Sequence, residues 1–156
     1  MAIFASRADR RVGAMQLAFA FLAGFVSVLI FHQAMLGLLH LLGVTPGRPW
    51  TTSPVPPLGV PQVISAAFWG GVWGLLLAPV LQRTRNTAAY WITAIVFGAF
   101  VLSIVAWFVV APIKGQPIAG GWQPARLLTG LLVNGAWGFG VALLLSFAPG
   151  WRSRSL

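Results

Sequence analysis

Four long apolar runs dominate the sequence, and no Asp, Glu, Lys or Arg lies clearly inside any of them. A helix needs about 20 mostly apolar residues to cross the hydrocarbon core of a bilayer. The runs extend over about 14–43, 61–81, 88–111 and 124–147. They predict an all-α integral membrane protein, with four transmembrane helices in a single domain covering residues 1–156. Pro61 and Pro124 stand where a first helical turn tolerates proline. Pro112 and Pro149 follow the third and fourth runs and help to end them. A soluble fold is excluded, because only 7% of the residues are charged and the mean hydropathy is +0.87, whereas a soluble domain is about 25% charged.

The net charge of +9 does not point to nucleic acid. The basic residues occur in twos and threes at the ends of apolar runs, which is how membrane topology is encoded. Arg7, Arg10, Arg11, Arg83, Arg85, Arg152 and Arg154 fall on one side, and Arg48, Lys114 and Arg126 on the other. This bias predicts cytoplasmic N and C termini. Tyr90, Trp91 and Trp151 then mark the inner interface, and Trp50, Trp107 and Trp122 the outer one. The first run is longer than the 7–15 residues of a signal-peptide core, so it is read as an uncleaved first span. About 30 helical residues measure roughly 45 Å against a core of about 30 Å. That span must tilt, bend or project, with 33–43 as an outer extension.

The chain also looks duplicated. Residues 65–74 parallel 129–138 at a constant offset of 64, and each half carries an outer loop rich in Gly and Pro with a Trp nearby. Halves over about 14–82 and 88–149 would form a parallel repeat, related by an axis along the membrane normal, and a pseudo-two-fold four-helix bundle.

Small residues recur every four positions on the second span, at Ala66, Gly70, Gly74 and Ala78. The fourth span carries Gly130, Asn134 and Gly138 in the same spacing. Such stripes let backbones approach closely in lipid. They serve either packing within the bundle or docking of a partner, with Trp69, Trp73 and Trp137 beside them. Asn134, the most polar residue near the middle of a span, is expected to bond across to a neighbouring helix, with Ser65 or a backbone carbonyl as acceptor.

Catalytic chemistry has little to work with. Asp9 is the only acidic residue and there is no cysteine, so carboxylate catalysis, a Ser-His-acid triad, disulfides and thiolate metal sites all lack their groups. Small multidrug carriers are four-helix proteins that rely on a membrane glutamate, which is absent here. His32 and His40 lie about 80° apart around one helix and roughly 12 Å apart along it. They cannot clamp one haem between them. Each is an interfacial histidine, a structural hydrogen-bonding group, or a single axial ligand to haem or chlorophyll. The loop 51–61 holds four prolines; it is extended and stiff, a plain connection, a lid or a strap for a partner.

Phe31-His32-Gln33, residues 57–62, residues 68–74, Gly115-Gln116-Pro117 and residues 134–138 resemble a group of small four-helix bacterial inner-membrane proteins with no assigned activity. The resemblance spans nearly the whole chain. It implies a bacterial inner-membrane placement and carries over no functional residue. The expected function is a non-catalytic accessory subunit of a larger inner-membrane complex, respiratory or photosynthetic by analogy. Its partners would be other integral membrane proteins and lipids, with no nucleic acid, and it could also form a homo-oligomer. A small homodimeric transporter or channel for a neutral or anionic solute is the alternative, with Ser27, Ser65, Ser103, Thr129 and Asn134 as the polar route. A haem- or chlorophyll-ligating subunit using His32 or His40 is the third reading.

Overall fold

The computed structural model describes residues 7–149 and Trp151. The side chains of Arg7, Asp9, Arg10 and Arg11, and the whole of Arg152 and Arg154, lie outside the described residues. Among the described residues, four helices are long and apolar enough to cross a membrane.

Helix α1 is continuous through Arg7–Ser27, a π-helical segment Val28–His32, and Gln33–Leu41. A short antiparallel ribbon follows, in which β1 (Pro54–Val55) pairs with β2 (Val60–Pro61). The proline-rich loop is thus folded back on itself rather than simply extended. Helix α2 covers Gln62–Leu81, with Pro61 just before it. Helix α3 covers Thr87–Ile113 and contains two π-helical segments, Phe97–Leu102 and Ala106–Val110. A left-handed turn at Ile118–Trp122 leads into α4, Pro124–Ser146.

The helix ends follow local chemistry. Asn86 caps α3 by accepting the Ala89 N–H at 2.8 Å, which satisfies one of the free donors of the first turn. Pro124 occupies the opening turn of α4. Helices α1 and α3 end in the same motif. Gly43 and Gly115 adopt positive φ, and the next residues, Val44 and Gln116, donate back to Leu39 O and Ala111 O at 2.9 and 2.8 Å. A left-handed glycine with this 6→1 bond is the Schellman ending.

The helices pack in the spatial order α2–α1–α4–α3. Helices α1 and α4 form the centre, and α2 and α3 flank them. The crossings are close because side chains are missing there. A methyl group on Gly74 would run into the Ala20 carbonyl, and one on Gly70 would meet the Gly24 carbonyl at 2.9 Å. Across α3 and α4, a methyl group on Gly138 would run into the Ala94 carbonyl, and one on Gly98 into the Asn134 carbonyl. Without a hydrophobic drive between helices in lipid, such backbone approach is a principal source of association. Helices α2 and α3 meet mainly along Thr87–Val96, next to the short loop that joins them. Further along, a cleft separates them.

Candidate functional site

The cleft ends in a cavity of about 220 Å³ with walls from all four helices. Helix α1 contributes Val28 and His32, the two ends of its π-helical segment. Helix α2 contributes Ala66, Trp69, Gly70 and Trp73. Leu102, Ala106 and Val110 come from the two π-helical segments of α3, and Asn134 and Trp137 from α4. All three π-helical segments therefore reach this one cavity. Such segments recur at functional sites because each widened turn displaces side chains and frees a carbonyl.

The α1 segment shows how that operates. The Gln33 N–H bonds Val28 O and Ile30 O and skips Leu29. The Leu29 carbonyl instead accepts the Trp50 indole Nε1–H at 2.9 Å. The Trp50 backbone N–H is bound in turn by Gln33 Oε1 at 2.8 Å. The loop that follows α1 is thereby pinned to the widened turn, and His32 lies beside it. His32 Nδ1 is buried and has no hydrogen-bond partner among the described residues.

Asn134 donates from Nδ2 to Ser103 Oγ on α3 at 3.0 Å. The acceptor is therefore Ser103 and not Ser65. Trp137 is 1% exposed. Its indole donates to Gly24 O at 3.0 Å, and its own carbonyl accepts Ser27 Oγ at 2.8 Å. These bonds fasten α4 to α1. The Trp73 ring sits edge-on against Phe97 at 6.2 Å, and Trp69 is largely exposed.

The structure separates several residues that the sequence grouped. His40 lies outside the cavity, with Nδ1 3.2 Å from Thr45 O near the end of α1. Gly70 and Gly74 face α1, Gly138 faces α3, and Gly130 lies against the Trp107 ring, where an added methyl would be 3.1 Å from the indole. Ala78 is buried in the core and Ala66 borders the cavity. The five polar residues proposed for a route do not form a continuous path: Asn134 and Ser103 bond each other and Ser27 bonds the Trp137 carbonyl. Ser27 and Ser103 are fully buried, Thr129 bonds Ala125 O of its own helix, and only Asn134 lines the cavity.

A second concavity lies on the opposite face of α4. It is a groove of about 720 Å³, lined only by apolar side chains. Leu131, Leu132, Gly135, Ala136 and Phe139 form its floor on α4. Phe31, Ala34 and Leu38 of α1 form one wall, and Ile95 and Ala99 of α3 the other. Sequence reasoning missed it, although Gly135 and Ala136 stand between the striped positions. No family model, no curated protein and no solved structure matches this chain.

Proposed function

We propose that this chain is a non-catalytic subunit of a larger bacterial inner-membrane assembly, and that the groove across α4 receives a transmembrane helix of a partner protein. The groove is the observation that carries this reading. From 131 to 139 it follows α4 for about 12 Å, or two helical turns. Its floor and walls include Ala34, Ala99, Gly135 and Ala136. Small residues on three helices offer a docked helix the close backbone approach that drives association in lipid. Phe31 and Phe139, with ring centroids 5.8 Å apart, give it a large apolar contact.

Two features of the chain fit the same picture. The crossing positions Ala20, Gly24, Gly70 and Gly74 have counterparts in Ala94, Gly98, Asn134 and Gly138, and α1 and α3 share one type of ending. These equivalences support a duplicated pair of helices with pseudo-two-fold symmetry. The arginines at Arg83 and Arg85 and at both chain ends favour cytoplasmic termini.

Groove-filling substitution tests the proposal. Ala34→Trp and Ala136→Trp should abolish co-purification of a membrane partner from native membranes in mild detergent. Leu76→Trp, on the exposed surface of α2, should leave it intact. Equal retention in all three variants would refute the docking role. The transporter reading draws on the cavity holding His32 and Asn134, and its test is solute flux in liposomes. The pigment reading retains His32, but the cavity has room for one ring rather than a tetrapyrrole, so a macrocycle would have to widen the cleft. A visible spectrum of the purified protein decides that point.

A further inference from the structure

We propose that the cavity between α2 and α3 binds the headgroup of a lipid-soluble quinone, a single six-membered ring with two carbonyl acceptors and an apolar tail. Size is the first reason. A cavity of about 150 Å³ accepts benzene, so one of about 220 Å³ accepts a substituted ring. Three indoles, those of Trp69, Trp73 and Trp137, line it and offer flat aromatic surfaces to such a ring.

The polar groups are donors on two different helices. His32 Nδ1, on α1, is buried and unpartnered among the described residues, and a buried polar atom in that state is costly until something bonds it. The His32 ring lines the cavity, and in the Nδ1–H tautomer a turn of that ring brings the donor to one carbonyl. Asn134, on α4, uses Nδ2 toward Ser103. An amide nitrogen carries two hydrogens, which leaves one for the second carbonyl. Among the described residues no carboxylate, lysine or arginine lines the cavity, which suits a neutral ligand. Because α2 and α3 touch mainly along Thr87–Val96, the cleft beyond that contact gives the tail a path into the lipid. This site lies on the opposite side of α4 from the docking groove and does not depend on it.

The test is a titration of the purified protein in nanodiscs with decylubiquinone, read by quenching of tryptophan fluorescence. Saturable quenching is expected. His32→Leu and Asn134→Leu should each weaken it at least tenfold, and Ala106→Phe, which fills the cavity, should abolish saturation. His32→Gln keeps a donor and should restore most of the affinity. Leu76→Ala, on the exposed surface of α2, should behave as the unaltered protein does. Each variant is first checked for an unchanged elution volume and melting temperature, and a variant that fails is replaced by the milder His32→Phe or Asn134→Ala. Unsaturable quenching, or quenching equal in the unaltered protein and the cavity variants, would overturn the proposal.

Discussion

The indole of Trp137 and the backbone carbonyl of Gly24 are joined by a 3.0 Å hydrogen bond across the two central helices. The position 64 residues earlier is Trp73, which makes no such bond among the described residues. Its ring packs against Phe97 and borders the cavity. The bundle is therefore closed on the α1–α4 side and open between α2 and α3. The cavity lies inside that open cleft, and the groove crosses the opposite face of α4.

The Trp137 bond has a measurable worth. Trp137→Phe keeps most of the ring and removes the donor, so it should cost about 1 kcal/mol. Trp137→Ala also empties a core site and should cost roughly 3–5 kcal/mol. Unfolding in mixed micelles, followed by circular dichroism, measures both. Equal effects would show that the hydrogen bond, and not the packed ring, dominates.

Two glycines three residues apart should respond in opposite ways. A methyl group at Gly138 meets the Ala94 carbonyl, while one at Gly135 meets Ala99 Cβ at an ordinary 3.5 Å. Gly138→Ala should destabilise by roughly 1–3 kcal/mol, as overpacking does. Gly135→Ala should be neutral or slightly stabilising, since alanine is the better helix former. Melting temperatures in detergent distinguish them.

Asn134 and Ser103 form a pair between α4 and α3. Interhelical bonds of this kind average about 0.6 kcal/mol in membranes. A double-mutant cycle with Asn134→Ala and Ser103→Ala should give a coupling near that value. A coupling of several kcal/mol would mean that the pair organises a larger polar network.

Much of the scaffold was legible in the sequence. Spans are set by runs of about 20 apolar residues, and the runs read at 61–81 and 124–147 correspond to Gln62–Leu81 and Pro124–Ser146. Gly43 and Gly115 are the kind of residue that ends a helix. What escaped depends on which helix lies beside which. His32 reads as an interfacial residue because linear distance along α1 puts it at the edge of the core. Its place in a cavity comes from the neighbouring α2, α3 and α4, which no local pattern specifies. The π-helical segments carry no mark in residue type, and the Trp50 bonds to Leu29 and Gln33 depend on a loop folding back over the helix. The acceptor for Asn134 is hidden for the same reason, since its choice depends on the α3–α4 pairing.

The orientation is testable because the chain has no cysteine. Single substitutions Thr84→Cys and Gln116→Cys lie in loops at opposite ends of the bundle. In intact cells a membrane-impermeant maleimide should label Gln116→Cys, and should reach Thr84→Cys only after permeabilisation. The reverse pattern would place both termini outside.

Photo-crosslinking from the groove tests the docking role most directly. A benzophenone side chain at position 34 or 136, incorporated in the native host and irradiated in intact membranes, should yield an adduct with one other integral membrane protein. Peptide mapping should locate both adducts on the same transmembrane helix, and a probe at position 76 should give none. Adducts confined to lipid, or to a second copy of this chain, would contradict the account.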